Sequence, residues 1–545
     1  MKKTLVYLAA AVLAIACASP EKMAKMAENL KVECNPPVLE VVAGNIDAQV
    51  SITYPKDYFN PNVILEVTPV IVYEGGEASM KPFKYQGERV KDNYKVILKD
   101  GQKVSEKVHF EYVEGMEKSD LELRGKVLAG SKTIALPALK VADGANTTYM
   151  LVKRSGDLAF KQDNYQEVIS STTEGQIKYL VNSADVRNSE LKGQSVKDFL
   201  AVLEAAAEDE RTTVTSTEIV AYASPEGSEN LNNNLSGNRS ASASKAWQQV
   251  TKGIETTDPT VRSVGEDWEG FQQLVQESNL EDKHLILRVL SMYSDPAVRE
   301  NEIRNMSQVF TALKGEVLPE LRRARLIANV EVKNYTNEEL VSLLANNESV
   351  LDEEALLRVA SVVKDDAQKE SIYRKAIERF GSDRAQYNLA VLYLQQGKDA
   401  KAEAELDQVK SSDADVLNAL GVLALHKDDL KAAEDCFRKS GTPEAKSNLG
   451  TVLILSGEYE EAARLLEKPL GCCHNSVLAC ILTDQLDKGL KTAHCGDPKV
   501  WYLKAIIAAR QGNADDVKKN LEKAFRKPEL KERAARDIEF AGYEF

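Results

Sequence analysis

The feature that most constrains the fold is an internal repeat in the last third of the chain. Equivalent segments begin at Leu389-Ala390, Leu420-Gly421 and Leu449-Gly450, at intervals of 31 and 29 residues. A turn residue lies eight positions after each Leu, an Ala thirteen positions after it, and a larger apolar residue four positions later again. These positions are Gly397, Asp428 and Gly457, then Ala402, Ala433 and Ala462, then Leu406, Phe437 and Leu466. Small residues let paired helices approach and large ones fill the spaces between pairs, so the pattern predicts stacked helical hairpins.

The repeat resembles the tetratricopeptide repeat, a helix–turn–helix unit of about 34 residues that is shortened here. The resemblance implies an all-α solenoid over residues 336–545. Weaker units flank the clear ones, with matching residues at Ile372, Tyr373, Ala376, Trp501, Ala505, Gly512, Leu521 and Ala524. In this family the first helices line a concave groove that binds a protein partner, which makes Tyr387, Asn418 and Ser447 the groove candidates. Helical hairpins without a groove ligand are the alternative.

The N-terminus is typical of an exported protein. Lys2 and Lys3 precede an apolar run that ends at Ala16 and is too short to cross a bilayer as a stable helix. The Ala16-Cys17 step resembles the lipobox of bacterial lipoproteins, although Ala14 stands where Leu is most usual. The resemblance implies a signal peptide over residues 1–16 and lipidation of Cys17. Residues 17–34 are rich in Lys, Glu and Ala and are predicted to form a tether or a short helix. We therefore expect a protein of the cell envelope, lipid-anchored to the outer membrane and facing the periplasm or the surface. An ordinary cleaved signal, with Cys17 incidental, is the alternative.

Residues 35–155 are predicted to form a β-sandwich. Short apolar runs are bounded there by Gly, Pro, Asn and Asp, and residues 48–54 alternate between apolar and polar side chains. Strands at this spacing suggest an immunoglobulin-like arrangement. The predicted strands span residues 38–42, 48–54, 63–67, 70–73, 94–98, 108–113 and 132–136.

Residues 156–335 show strand–helix–strand–helix order, which indicates a mixed α/β domain. The predicted strands are 177–181, 214–223 and a closing strand through 327–332, and the main helices are 196–207 and 235–251. Ser224-Pro225-Glu226-Gly227-Ser228 is followed by Asn232-x-x-Leu235-Ser236-x-x-Arg239-Ser240. This string resembles the motif of OmpA-like domains, in a form common to envelope proteins of Bacteroides and relatives.

The OmpA-like resemblance implies peptidoglycan binding. In that family an Asp carboxylate meets the ammonium of the peptide stem and an Arg holds its carboxylate, as expected for a zwitterion. Here Arg239 stands at the Arg position, but Ser224 replaces the Asp, with Glu226 as a possible substitute anion. The peptidoglycan-binding candidates are therefore Arg239, Asn232, Ser224 and Glu226. There are two alternatives: a domain that kept the fold and lost the ligand, with Arg239 in a structural pair, or a domain that binds another acidic or glycan ligand at the same loop.

Charge and motif content argue against other chemistry. The chain has 70 Lys and Arg against 84 Asp and Glu, a net charge of −14, without the basic stripe that nucleic acid requires. Its five His lie in no nucleophile or H-E-x-x-H motif, so we expect no catalytic residues and no cofactor. Six Cys other than Cys17 contain no C-x-x-C pair, so no metal is expected, while a disulfide such as Cys480–Cys495 stays open.

Together these patterns predict a multidomain protein with an N-terminal β-sandwich, a central α/β OmpA-like domain and a C-terminal all-α tetratricopeptide-type solenoid. The predicted function is a lipid-anchored, non-catalytic envelope scaffold that binds a protein through its repeats and peptidoglycan through its OmpA-like domain. A surface adhesion or fimbria-accessory component is the rival. A wall hydrolase would require a carboxylate pair about 5–10 Å apart with room for a sugar.

Overall fold

The computed structural model describes residues 19–545, which divide into two units. One unit contains the described residues up to Lys161 together with Asp366–Phe545, and the other is Gln162–Asp365. We call residues 19–152 the β-sheet domain, residues 366–545 the helical array, and residues 162–365 the sheet–helix unit. The boundaries at 161 and 365 lie later than the predicted ones at 155 and 335. Within the described residues, no helix is both long and apolar enough to span a membrane.

The β-sheet domain is rich in strands, as predicted, and its strands alternate between buried and exposed side chains. In strand Asn45–Tyr54 the even-numbered residues from Ile46 to Tyr54 are buried, because one face packs in the core. This strand pairs antiparallel with Lys31–Asn35 on one side and Gln102–Glu111 on the other. The other strands are Val38–Val42, Ile64–Tyr73, Gly76–Ser79, Phe83–Gly87, Lys95–Ile97, Ser119–Ala129, Lys132–Ala135 and Leu139–Asn146.

Strand Ile64–Tyr73 corrects a prediction that two separate strands flank Pro69. On one edge the strand pairs with Ser119–Ala129 along its whole length. On its other edge it pairs with Phe83–Gly87 through residues 64–67 and with Gly76–Ser79 through residues 70–73. Pro69 lies where one partner gives way to the next, a position that needs no backbone N–H.

The segment predicted as a tether or a short helix has regular structure in the residues that the structure describes. Helix Pro20–Met26, a 3-10 turn at Ala27–Asn29 and strand Lys31–Asn35 occupy most of it. Met23 is fully buried, and its carbonyl accepts a hydrogen bond from the Tyr58 hydroxyl at 3.2 Å. Burial of Met23 and pairing of strand Lys31–Asn35 with strand Asn45–Tyr54 make residues 20–34 part of the domain. Cys17 lies outside the described residues.

The helical array consists of paired helices joined by left-handed turn residues. The predicted turn residues Gly397, Asp428 and Gly457 have φ of 67°, 61° and 82°. Asp484 and Gly512 have φ of 55° and 73° and continue the series. The helices are Asp366–Phe380, Asp383–Gln395, Asp399–Leu406, Ala414–His426, Leu430–Ser440, Pro443–Leu455, Tyr459–Leu465, His474–Leu482, Leu486–Thr492, Pro498–Arg510, Ala514–Ala524 and Pro528–Ala534, with 3-10 turns at Thr148–Leu151 before the array and Ile538–Phe540 at its end.

Close helix crossings explain the small residues of the repeat. A Cβ added to Gly421 would lie 2.5 Å from the Phe437 ring, and one added to Gly450 would lie 2.6 Å from Leu466. Phe437 and Leu466 are the larger apolar residues that the repeat places on the second helices. In these two hairpins a large side chain on or directly after the second helix packs against a small residue of the first helix.

The sheet–helix unit is built on a four-stranded mixed sheet. Its strand order is Val168–Lys178, Arg323–Lys333, Thr212–Ala223 and Thr260–Glu266, with only the last pair parallel. Strand Thr260–Glu266 was not predicted, and strand Val168–Lys178 lies earlier than the predicted 177–181. The helices are Asn188–Leu191, Gln194–Glu208, Glu229–Val250, Trp268–Glu277, Lys283–Met292, Pro296–Asn305, Ser307–Glu316, Leu318–Leu321, Asn337–Asn346 and Glu353–Val362, with a 3-10 turn at Glu348–Val350.

The last two helices of this unit follow residue 336, where the solenoid was predicted to begin. Arg358 forms an ion pair with Asp163 at 3.3 Å, and Glu354 accepts the backbone N–H of Asn164 at 2.6 Å. The Tyr165 hydroxyl donates to the carbonyl of Tyr335 at 2.9 Å. These contacts hold helix Glu353–Val362 to residues 163–165 of the same unit.

Candidate polypeptide groove of the helical array

The first helices of the array carry buried asparagine side chains. Asn388, Asn418 and Asn448 are almost completely buried, although amides are costly to bury without hydrogen-bond partners. Their helices are Asp383–Gln395, Ala414–His426 and Pro443–Leu455, and Asn475 lies on the next first helix, His474–Leu482. We call the surface lined by these side chains the groove.

An extended stretch of the same chain, residues 153–161, lies in the groove; we call it the groove segment. The Lys161 N–H donates to Asn388 Oδ1 at 2.7 Å, and Asn388 Nδ2 donates back to the Lys161 carbonyl at 2.9 Å. Asn448 pairs in the same way with Asp157, at 2.6 and 2.9 Å. Asn475 pairs with Lys153, at 2.8 Å in both directions. Every fourth residue of the segment is thus held through both of its main-chain polar groups.

The groove residues predicted from the sequence all contact the groove segment. The Tyr387 hydroxyl donates to the Ala159 carbonyl at 3.1 Å, and Asn418 Nδ2 donates to the Asp157 carbonyl at 3.0 Å. The Ser447 hydroxyl donates to the Asp157 carboxylate at 2.6 Å. Burial, with the charges of Asp415, Asp413 and Glu444, raises the pKa of Tyr387, so its hydroxyl stays protonated and keeps donating.

Side chains of the segment add contacts at both ends. The Phe160 ring stacks on Tyr373 with centroids 6.5 Å apart. Lys161 Nζ forms an ion pair with Asp413 at 2.5 Å and lies 4.9 Å from the centre of the Tyr387 ring. Burial opposes ionisation of Asp413, but the hydrogen bonds from Lys161 and from the backbone of Val416 and Asp415, together with the charge of Lys161, outweigh burial and lower the pKa of Asp413. Arg154 pairs with Asp428 at 2.5 Å.

Gly156 lies where no side chain fits. An added Cβ would be 2.7 Å from both methyl carbons of Val422, and φ at Gly156 is +71°. Both the space and the backbone conformation therefore require glycine at this position.

Four groove residues were not found from the sequence. Asn388, Asn448 and Asn475 each lie nine residues before a left-handed turn residue, at Gly397, Gly457 and Asp484. His474 lies one position before Asn475, and its Nε2 is 2.7 Å from the Leu151 carbonyl. This recurrence of Asn nine positions before the turn residue is visible in the sequence and could have identified these groove residues. The second hairpin interrupts it, because Ala419 stands at that position.

The peptidoglycan-binding candidates lie together in the sheet–helix unit, around the turn between strand Thr212–Ala223 and helix Glu229–Val250. The Ser224 hydroxyl donates to Glu226 Oε1 at 2.6 Å. Arg322 donates to the same carboxylate from Nε at 2.8 Å and forms an ion pair from Nη2 at 2.6 Å. Asn232 donates to Glu266 at 2.7 Å. The turn therefore holds a carboxylate beside Ser224, but this carboxylate already has a cation partner.

Arg239 is fully buried and is bound to main-chain carbonyls. Its guanidinium donates to Ser183 at 3.0 Å, Tyr222 at 2.9 Å and Leu180 at 3.2 Å. Burial is the main cause that lowers its pKa to about 10, so it is still charged near neutral pH. In this structure Arg239 fastens three backbone segments and offers no exposed surface to a ligand carboxylate, contrary to the expected role. Peptidoglycan binding itself stays a prediction.

Among the described residues, no group of three or more His, Cys, Asp or Glu side chains could hold a metal ion.

Comparison with known families confirms the repeats. Residues 370–415 match a family model described as tetratricopeptide repeat, and residues 443–468 match a second model with the same description. Both ranges lie in the helical array and cover hairpins whose spacing predicted them. No curated protein matches the chain.

Several solved structures are similar at low identity. A tetratricopeptide repeat protein from Parabacteroides merdae is 16% identical, with 37% of this chain and 91% of that chain covered and a TM-score of 0.29. The APC/C hetero-tetramer Cut9–Hcn1 is 14% identical, with 56% and 74% covered and a TM-score of 0.34. YrrB, described as a TPR protein with an unusual peptide-binding site, is 17% identical, with 37% and 100% covered and a TM-score of 0.22.

Proposed function

We propose that the protein is a lipid-anchored, non-catalytic scaffold of the cell envelope whose helical array binds an extended segment of a partner protein. The observation that carries the proposal is the set of two-way pairs between groove asparagines and polypeptide main chain. Stacked helical repeats create extended concave surfaces of the kind that bind other proteins.

The chemistry of the groove selects main chain more than side chains. Each asparagine offers one acceptor and one donor to the N–H and C=O of a single extended residue, whatever its side chain. One neutral hydrogen bond contributes about 0.5–1.5 kcal/mol, so a two-way pair contributes about 1–3 kcal/mol. A partner segment in the same extended conformation, with every fourth residue facing an asparagine, would therefore make the same main-chain contacts as the groove segment.

The groove segment acts in this proposal as an exchangeable occupant. A partner strand displaces residues 153–161 and takes over the pairs with Asn388, Asn448 and Asn475. The resident segment lowers the apparent affinity for the partner because the open state is only a fraction of the population. Weakening the resident segment should therefore strengthen binding in trans.

A synthetic peptide copying residues 151–163 tests this exchange. Gly156→Val in the full chain should expel the resident segment, because the new side chain meets Val422. We expect the labelled peptide to bind this variant at least about tenfold more tightly than the wild type, measured by fluorescence anisotropy. Gly130→Val is the matched control, since Gly130 also has a positive φ of 60° but an added Cβ there contacts nothing within 4 Å.

Asparagine variants identify the binding site in that experiment. Adding Asn388→Ala and Asn448→Ala to Gly156→Val should abolish peptide binding while circular dichroism shows a folded array. A peptide N-methylated at the positions of Asp157 and Lys161 lacks the donors and should not bind. Equal peptide affinity of the wild type and a folded Gly156→Val variant would contradict the exchange, and so would binding that ignores the asparagines.

The envelope location rests on the residues around Cys17 and has its own test. We expect the protein to fractionate with membranes and to incorporate labelled fatty acid, and Cys17→Ser to lose both properties. Incorporation of label by the Cys17→Ser variant, or a wild type without label, would remove the lipid anchor from the proposal.

Wall binding rests on the motif around Ser224 and on the carboxylate of Glu226. An ammonium of the peptide stem would compete with Arg322 for Glu226. We expect the full chain to sediment with insoluble peptidoglycan and Glu226→Gln to sediment less, with Glu218→Gln as a surface control. Wild-type protein that stays in the supernatant would withdraw this part of the proposal and leave the groove proposal unaffected.

A further inference from the structure

Three thiols meet where one hairpin of the array joins its neighbours. Cys495 Sγ lies 3.3 Å from Cys473 Sγ and 3.7 Å from Cys472 Sγ. Cys473 is buried, Cys495 is half-buried and Cys472 is exposed. The cluster therefore combines thiols in contact with one that solvent can reach.

We infer that Cys495 is a site of oxidative modification that forms a disulfide with Cys473, and that Cys472 is the alternative partner through exchange. The contact distance requires only a small rotation of the side chains to reach bonding distance. Two neighbouring partners for one sulfur also allow the bond to move, because a free thiolate can attack the disulfide beside it.

The thiols differ in their readiness to ionise. Burial opposes the Cys495 thiolate, but hydrogen bonds from the Asp497 backbone and from the thiols of Cys473 and Cys472 outweigh it, so the pKa of Cys495 is lowered. Burial raises the pKa of Cys472 and Cys473. Since the thiolate is the reactive form, Cys495 is the thiol that attacks first.

The oxidant is a small or protein disulfide, which is the class found in oxidising compartments. The Cys495 thiolate attacks one oxidant sulfur, forms a mixed disulfide and releases the other oxidant sulfur as a thiolate. The Cys473 thiolate then attacks the Cys495 sulfur and releases the second oxidant thiolate. Two cysteine thiols lose two electrons and two protons, and the oxidant disulfide gains them as two thiols.

The bond would close a loop around a single hairpin. Helices His474–Leu482 and Leu486–Thr492 lie between Cys473 and Cys495. His474 and Asn475, which contact Leu151 and Lys153, follow Cys473 directly. The disulfide would therefore fix the position of the hairpin that holds the first residues of the groove segment.

The pairing differs from the disulfide considered from the sequence, Cys480–Cys495. Cys480 is buried within helix His474–Leu482. In the part of the chain that the structure describes, the thiols in contact with Cys495 are those of Cys473 and Cys472. Spacing along the sequence could not distinguish these possibilities.

The test places the reduced full chain in glutathione buffers from reducing to oxidising and blocks free thiols with N-ethylmaleimide. After trypsin digestion, we expect peptide 465–488 to be joined to peptide 492–499 in the oxidised samples. Peptide 465–488 contains Cys472, Cys473 and Cys480 together, so Cys480→Ser is the essential matched control. The joined peptides should persist in the Cys480→Ser variant. They should also persist in the Cys473→Ser variant, because Cys472 then forms the disulfide with Cys495.

Two further variants make the result decisive. Cys495→Ser, and the double variant Cys472→Ser with Cys473→Ser, should lose the joined peptides while circular dichroism stays that of the wild type. Oxidised wild type should also unfold at a temperature several degrees above that of the reduced form, a shift absent from Cys495→Ser. Full alkylation of Cys495 in oxidising buffer, or its pairing with Cys480, Cys34 or Cys436, would overturn the inference. Peptide binding plays no part in this test, so its outcome is independent of the groove proposal.

Discussion

The groove and the turn around Ser224 both bury polar side chains, but they obtain their partners in different ways. Asn388, Asn448 and Asn475 pair with residues 227, 291 and 322 positions away in the chain. Arg239 pairs with carbonyls only 56, 17 and 59 positions away within its own unit. The groove receives a segment that comes from another part of the chain, whereas the turn is closed on itself. Burial of a polar side chain therefore marks a binding site only when its partner could be exchanged.

The two regions also differ in the kind of hydrogen bond. The asparagines form neutral hydrogen bonds with the groove segment. Another segment can therefore replace it with little net change in free energy. Arg239 carries a buried charge, and removing its partners or the residue itself would leave polar groups unsatisfied. We therefore expect variants of Arg239 to affect folding and variants of the groove to affect occupancy.

Arg239→Ala should have the largest effect on stability. Three carbonyls lose a charged donor and the removed side chain leaves a cavity, so we expect a loss of about 3–5 kcal/mol in the sheet–helix unit. Hydrogen exchange of peptides from strands Thr212–Ala223 and Arg323–Lys333 measures it. Arg262→Ala, which removes an exposed ion pair with Glu218, is the control and should change stability by about 0.5 kcal/mol or less. A small effect of Arg239→Ala would contradict the role of Arg239 in fastening the three backbone segments.

Asn448→Ala should have the next largest effect, confined to the groove segment. Loss of both bonds to Asp157 should favour release of the segment by about 2 kcal/mol, or roughly 30-fold. Trypsin cleavage after Lys153, Arg154 and Lys161 reports release directly and should accelerate accordingly. Asn346→Ala, at an exposed helix position of the sheet–helix unit, should leave cleavage unchanged. Unaltered cleavage of Asn448→Ala would show that other contacts hold the segment.

His474 should make groove stability depend on pH. Burial, with the charges of Lys499 and Lys153, lowers its pKa despite the Leu151 hydrogen bond and the Asp497 charge. Its buried Nδ1 has no hydrogen-bond partner among the described residues. The unfolded chain is protonated first, at its ordinary pKa of about 6.5. The contribution of neutral His474 to the free energy of unfolding is therefore complete above that pH. It is lost as the pH falls through the pKa of His474 in the folded protein, by at most about 1.4 kcal/mol per pH unit.

The measurement is the unfolding temperature of the wild type and His474→Gln at about pH 7.5 and about pH 5.5. The wild type should lose more stability on acidification than the variant. His494→Gln, at an exposed position near the thiol cluster, should behave like the wild type. Equal pH profiles of the wild type and His474→Gln would contradict burial of a neutral imidazole at this site.

Arg154→Ala should have the smallest effect. Its ion pair with Asp428 joins side chains that are 46% and 70% exposed, so we expect less than about 0.5 kcal/mol. Amide exchange at residues 155–157 should stay within about twofold of the wild type. An effect as large as that of Asn448→Ala would mean that the groove recognises side chains as strongly as main chain.

Sequence reasoning located the repeats because their spacing is local. The small residue of each first helix, the turn residue and the large residue of each second helix interact within one hairpin, so their intervals survive in the sequence. The groove occupant was invisible to the same reasoning, since residues 153–161 contain no regular element and lie more than two hundred positions from their partners. The acceptors of Arg239 were equally hidden, because main-chain carbonyls of Leu180, Ser183 and Tyr222 leave no residue signature.

The most direct test of the groove is residue-resolved amide hydrogen exchange across residues 151–163 in the full chain. We predict slow exchange at Asp157 and Lys161, whose N–H groups donate to Asn448 and Asn388, and rapid exchange there when both asparagines are changed to Ala. Rapid exchange at both amides in the wild-type protein would contradict this prediction, because the groove would then hold no strand.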